Sequence, residues 1–347
     1  MNRSRNRINR MILLLLGFCL MLMPAGCGSK QSEGPSATSV FTFQGKSVSV
    51  GEVYVYARTI SQDYEKAYGK EIWGMQVAVD DQETDMRALT RKDIIEDIVK
   101  VKVLCGRADS FKLSLTNDER ERVELETEAF WKNLTDTQIA DMELSKDIVK
   151  NVLNENMLAR KVYQAVINEA GIEVSDEEAR MTTVYDMYFP CFEESVNGVL
   201  TPMDEERKAE QYDRALQAYN TLISPLEGNA ERNVEALAAY YGLQDARYVT
   251  ESPEDMQKIY GKEVTDMLYR LEDGSYSLVT ETEYGYHIFY MDSLTNRVAT
   301  NAKKERLERE RKSKYFASRY DSWLKEADGS FTYDRSVDFE VYNKIEF

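Results

Sequence analysis

The feature that most constrains the fold is a change of hydrophobic period at Thr183. Before it, apolar residues recur at helical spacing behind repeated N-cap signals; after it they alternate. Ser49 with Glu52 predicts a capping box and a helix to about Tyr68. Thr90 is expected to cap a helix whose face carries Ile94, Ile95, Ile98, Val99 and Leu104. Thr116 with Glu119 starts another, reaching about Leu134. Ser145 starts the longest helix of this half, whose stripe runs from Ile148 to Ile167 before Gly171 ends it. Ser175 with Glu178 caps a short one. Val40 to Val48 reads as a strand pair turning at Gln44-Gly45, and Ile72 to Glu83 has no assignment. From Val184 to Phe189 the chain reads as a strand. Helices follow over Asp204–Leu222 and Asn233–Tyr241, with a short helical run over Val264–Leu271. Asp273-Gly274 is a turn signal. Strands are expected at Ser277–Thr280 and Tyr286–Met291, joined by Glu283-Tyr284-Gly285. A long helix returns after Thr300, and Phe331–Phe347 alternates weakly, as one more strand. The expected class is α+β, with a small antiparallel-sheet domain set between helical segments.

Composition narrows the function. The 347 residues suffice for about two domains, and 43% are hydrophobic, enough for real cores. The net charge is −17, and four of the 44 basic residues are the arginines of the first 26, so the rest of the chain sets 40 basic against 61 acidic. A nucleic-acid binder needs a basic face, and none is expected here. Arg3, Arg5, Arg7 and Arg10 followed by the apolar run Met11–Met23 form a targeting segment. Pro24-Ala25-Gly26-Cys27 resembles the lipobox of bacterial lipoproteins, which implies a diacylated Cys27 and a lipid anchor in the cell membrane. An ordinary secretory signal is the other reading. Only Cys105 and Cys191 then remain in the folded part, without metal-ligand spacing, and the chain has one histidine, His287. Neither a metal nor a cofactor is expected. Hydrolase chemistry lacks a second histidine and a Gly-x-Ser-x-Gly string.

The stretch from Val264 to Asp292 resembles the C-terminal half of the parvulin peptidyl-prolyl isomerases, the PpiC-like rotamase domain. Tyr269, Leu271, Gly274, Ser277, Thr282 and Gly285-Tyr286-His287-Ile288 carry the likeness. The layout around it looks like the SurA- and PrsA-like extracytoplasmic foldases, in which a parvulin domain is inserted into a helical chaperone domain that the C-terminal helix completes. The division this implies is a signal peptide over 1–26 and a flexible linker over 27–39. A helical chaperone domain follows over 40–181, a parvulin-like domain over 182–298, and a helix and tail over 299–347 that complete the helical part. Tyr315, Phe316, Trp323 and Leu324 of that last helix would pack on the helices of residues 50–170.

Carried over position by position, the resemblance makes His287 the second parvulin histidine and Thr282 the threonine beside it. Asp186 stands where the first histidine would be. The parvulin Asp or Cys position falls near Gln244, and the proline-pocket positions near Tyr260 and Val264; Tyr269 is the recurring aromatic. Prolyl isomerisation needs no nucleophile, only a dry cradle that stabilises a twisted imide. Two readings stand side by side. In one, Asp186 fixes the tautomer of His287, Thr282 supports it, and Gln244, Tyr260, Val264 and Tyr269 bind substrate. In the other, the fold is kept, the chemistry is lost and His287 is a strut. The expected function is a membrane-anchored extracytoplasmic foldase acting on unfolded or newly exported polypeptides, with weak or lost isomerase activity. The alternative is a structural or ligand-capturing surface lipoprotein.

Overall fold

The computed structural model describes residues 37–79, 82–194, 198–224 and 233–346. The targeting segment and Cys27 lie outside them. The described residues form two compact units: one runs up to Gly171 and resumes at Lys312, and the other is Ile172–Arg311. The expected insert, 182–298, is narrower than the second unit by a short helix at one end and part of the long helix at the other. Both cysteines among the described residues are free thiols, Cys105 half-buried and Cys191 buried. No described helix is long and apolar enough to cross a membrane.

The first unit opens with the strands Ser39–Phe43 and Lys46–Ser49, antiparallel around Gln44-Gly45. Both turn residues have positive φ, 52° and 71°, the backbone that matches strand twist in a two-residue hairpin. Ser49 then caps the helix Val50–Tyr68 by accepting from Glu52 N. The next helix is Met86–Cys105, and its cap is Asp85, not Thr90. Thr90 lies inside, where its hydroxyl donates back to Met86 O at 2.7 Å, the usual outlet for a mid-helix threonine. The unassigned stretch before it forms a 3₁₀ turn, Lys70–Gly74, and the strands Gln76–Val79 and Gln82–Asp85. Thr116 and Glu119 form the expected capping box of Asn117–Lys132. Ser145 caps Lys146–Glu169.

Val53, Ile94, Ile98, Val149, Val162 and Val166 make one core, which also buries Phe316 and Trp323 of the long helix Arg297–Asp328. Phe316 meets Tyr163 edge-on at 4.7 Å and Trp323 meets Phe111 at 6.1 Å. Two such aromatic burials stabilise the unit by roughly 2–3 kcal/mol each. The tail does not form the expected strand. It makes short helices, Tyr333–Ser336 and Phe339–Tyr342, with a single bridge between Phe41 and Val337. Asp338 accepts from Glu340 N and Val341 N, a cap that turns the chain helical and buries Tyr342.

The second unit is built on a four-stranded antiparallel sheet. Thr182–Pro190 and Gly285–Ser293 are its central strands, Arg247–Glu251 and Thr280–Thr282 its edges. Residues alternate between faces. Tyr185, Met187, Phe189 and Ile288 pack with the helices Glu205–Ile223 and Val234–Tyr240. Val184, Phe289 and Met291 pack on the other face with the helix Pro253–Leu268. The edge strand Arg247–Glu251 replaces what reads in sequence as a bare connection. The other edge pairs at Thr280–Thr282 rather than Ser277–Thr280, because Ser277 Oγ takes the N–H of Phe289 and interrupts the ladder. The helix starts at Pro253 behind a Ser252 cap, eleven residues before the expected Val264.

Candidate functional site

His287 and Asp186 project from adjacent central strands onto the face covered by Pro253–Leu268. The register sets His287 opposite Tyr188 and Phe289 opposite Asp186, so all four side chains share that face. His287 Nδ1 lies 2.8 Å from Asp186 Oδ1, and each side chain is only 8% exposed. Tyr260 donates its hydroxyl to Asp186 Oδ2 at 3.0 Å. A carboxylate can only accept, so Nδ1 carries a proton toward Asp186. His287 Nε2 lies 3.1 Å from Thr282 Oγ1, which is also 3.2 Å from Gly285 O. Thr282 has one hydroxyl proton for these two acceptors. Directed to Nε2, it serves the neutral ring; directed to Gly285 O, it leaves Nε2 to donate from the protonated ring. The threonine therefore accommodates either state of the histidine without leaving a polar atom stranded.

The ring is held by aromatics. Tyr188 stacks on it at 4.8 Å and 20°, and Phe289 lies parallel at 5.3 Å and 2°. Tyr260 meets it edge-on at 6.1 Å. Burial, and then the charge of Asp186, hold the Tyr260 phenol far above its ordinary value, so it stays a donor. Burial pushes the Tyr188 phenol up to about 12, and its hydroxyl donates to Tyr284 O at 2.9 Å, tethering the turn that joins the last two strands.

Two glycines shape the place. Gly261 has φ 79° inside the helix Pro253–Leu268 and breaks it in two just after Tyr260. Gly285 has φ 151°, and a Cβ there would meet Phe189 O at 2.2 Å. Only glycine lets the strands approach this closely, two residues before the histidine.

Beside this cluster is an open cavity of about 710 Å³, with Asp186, Tyr188, Tyr260, Val264, Thr282 and His287 among its walls. Of the expected residues, His287, Asp186, Thr282, Tyr260 and Val264 are brought together. Tyr269 and Gln244 are not. The Tyr269 hydroxyl is hydrogen-bonded to Thr182 Oγ1 at 2.9 Å, and Gln244 is exposed and outside the lining. Tyr188, Phe289 and Tyr284 escape a sequence reading, as does Arg247, opposite Asp186 at the cavity wall. Ser252-Pro253, a cap followed by proline, is the overlooked signal for the helix that delivers Tyr260. No group of metal-binding residues occurs among the described residues. The arrangement sets a hydroxyl, an imidazole and a carboxylate in line, Thr282 Oγ1 to His287 Nε2 and His287 Nδ1 to Asp186 Oδ1, in an aromatic-walled recess beside the cavity.

No protein-family model matches the chain. Among curated proteins it is 24% identical over 295 residues to the foldase protein PrsA of Clostridium perfringens strain ATCC 13124, covering 81% of each chain. It is 21% identical over 322 residues to the foldase protein PrsA of Caldanaerobacter subterraneus, covering 90% of this chain and 92% of that one. Among solved structures, a peptidylprolyl isomerase (PrsA) from Bacillus cereus aligns at 16% identity and TM-score 0.25, over 78% of this chain and 98% of that one. A SurA-like chaperone from Campylobacter jejuni aligns at 11% and TM-score 0.25, over 72% and 94%. In sequence the chain is similar to the PrsA foldases over most of its length.

Proposed function

We propose that this protein is an extracytoplasmic foldase for newly exported or unfolded polypeptides, anchored to the cell membrane by a lipid on Cys27. Residues 40–181 with 299–347 hold extended client chain, and the parvulin-like domain, 182–298, is weak or inactive as a prolyl isomerase. The similarity to PrsA foldases over most of the chain supports the client-handling part. The observation that carries the weak-isomerase part is the closure of the polar network. His287 Nδ1 is taken by Asp186, Nε2 by Thr282, and the Tyr260 hydroxyl by Asp186. A prolyl peptide entering the cavity meets no uncommitted donor on these four side chains. It must break an internal hydrogen bond to gain one, which cancels most of the stabilisation a twisted imide needs. His287 and Asp186 then act as a strut, and Tyr260 and Val264 as walls.

The test pairs two assays on the full chain: suppression of client aggregation, and refolding of a client limited by a cis–trans prolyl step. Suppression is expected with little acceleration, and His287→Ala leaves suppression intact. Strong acceleration that His287→Ala abolishes would replace the scaffold with a catalytic centre. The anchor is tested separately: Cys27→Ala should move the protein out of the membrane fraction, and retention there would disprove it.

A further inference from the structure

The polar line at the site has a property that neither scaffolding nor prolyl isomerisation uses. Thr282 ends the edge strand Thr280–Thr282, and the turn to Gly285 folds its hydroxyl back beside the ring of His287. Oγ1 lies 3.1 Å from Nε2, and Nδ1 of the same ring lies 2.8 Å from Asp186 Oδ1. Tyr260 holds the other carboxylate oxygen, Oδ2, at 3.0 Å, which fixes the plane of the group. With the Nδ1 proton given to the carboxylate, the neutral ring presents Nε2 to the hydroxyl as a base. Hydroxyl, imidazole and carboxylate in this arrangement are the parts of an activated nucleophile, which is recognised by geometry and not by order in the chain. Oγ1 also accepts from Tyr284 N at 3.3 Å and lies 3.2 Å from Gly285 O. The amide N–H favours charge developing on Oγ1 and leaves its second lone pair for a carbonyl carbon. Thr282 is half-buried and lines the cavity together with His287, Tyr188, Tyr260 and Arg247. The charge of Arg247 is felt at the Tyr260 phenol, so a cation stands at the recess where an oxyanion would form.

We propose that Thr282, His287 and Asp186 form an acyl-transfer triad that hydrolyses carboxylic esters small enough to enter this cavity. Thr282 Oγ1 attacks the ester carbonyl carbon while its proton passes to His287 Nε2, and the carbonyl oxygen becomes an oxyanion. The oxyanion collapses, the bond to the alkoxy oxygen breaks, and Nε2 returns the proton to the leaving alcohol. Water then attacks the acyl-threonine by the same route, which releases the carboxylic acid and restores the hydroxyl; no other reactant is consumed. Asp186 is a positioning residue: it holds the Nδ1 proton and steadies the ring while it is charged. Esters fit and amides do not, because a secondary hydroxyl is a hindered nucleophile and an amine is a poor leaving group. The activity goes beyond client handling and does not depend on it: isomerisation breaks no covalent bond, and this reaction breaks one.

The experiment measures p-nitrophenol release from p-nitrophenyl acetate by the full chain, with peptide mass spectrometry of protein quenched in acid. Release above the uncatalysed rate is expected, with acetyl trapped on Thr282. Thr282→Val keeps the branched shape, loses the oxygen and should cut turnover about 100-fold. Thr282→Ser should retain it. Asp186→Asn should lower kcat about 100-fold with KM unchanged, a split that loss of folded protein does not give. Arg247→Gln, at an exposed position, should slow acylation about tenfold. Acetyl confined to lysines or tyrosines of the parent chain overturns the proposal, whatever the variants do. So does turnover that survives Thr282→Val and is lost in His287→Gln, which would make the imidazole itself the nucleophile. Aggregation of a client, followed on the same samples, reads the foldase role separately, so either reading can fail without the other.

Discussion

Each unit holds a cluster of titratable side chains, and the two are built in opposite ways. In the helical unit, Lys102 sits between Glu52 and Glu155, one charge from each of three helices. Burial raises the Glu52 carboxyl above its ordinary value against the pull of Lys102. Burial also opposes the Lys102 charge, but the two carboxylates more than offset it. One cation serves two anions, so charge is left over. In the sheet unit, Asp186, His287, Tyr260 and Thr282 form a chain of hydrogen bonds in which donors and acceptors match. The first cluster is a clamp whose strength is Coulombic and whose geometry is forgiving. The second fixes the angle of one ring and lines a cavity. A buried charge is thus no mark of a site in itself; the match of directional donors to acceptors beside open space is the informative part.

The contrast ranks the expected effects of mutation. Lys102→Met leaves two carboxylates facing each other and should cost about 3 kcal/mol in urea unfolding of the helical unit. His287→Ala removes one member of a network that keeps Tyr260 on Asp186, and should cost the sheet unit about 2 kcal/mol. A larger loss for His287→Ala would reverse the contrast. Asp93 sharpens it through pH. Burial, followed by Asp97 and Glu96, raises its carboxyl from 3.8 to about 6. The native state therefore holds that proton more tightly than the unfolded chain does. The stabilisation is complete below pH 3.8 and is lost as pH rises through about 6. Asp93→Asn should be more stable than its parent above that range, by about 1 kcal/mol after solvent screening, and equal to it in acid. An advantage independent of pH would show that the helical unit does not carry this excess charge. The smallest effect is that of Tyr188→Phe, which keeps the stack on His287 and loses the tether to Tyr284 O, at roughly 0.5 kcal/mol.

Local signals were legible where the chain talks to its neighbours in sequence. Ser49, Thr116 and Ser145 cap the helices they precede, and Gln44-Gly45 turns its hairpin. Thr90 misled because a threonine before an apolar stripe resembles a cap whether or not its hydroxyl turns back to a carbonyl. The tail misled because its alternation is weak and one side chain, Asp338, decides between strand and helix. At the site, Asp186 and His287 were placed by resemblance, and their shared face follows from the two-residue period. Tyr188 and Phe289 are set by strand register, which no local pattern reveals. The Lys102 clamp needs the rotational phase of three helices at once, and nothing in any one of them announces it.

What a Cβ at Gly285 would strike is the backbone of the next strand, so no neighbouring side chain can shrink to relieve it. The spacing of this glycine and the histidine two residues on is therefore an architectural signature of how closely two strands pass. It reports a mould, not a reaction. A chain bearing Gly-Tyr-His keeps the mould whatever side chains stand around the histidine, so that string by itself counts moulds and not activities.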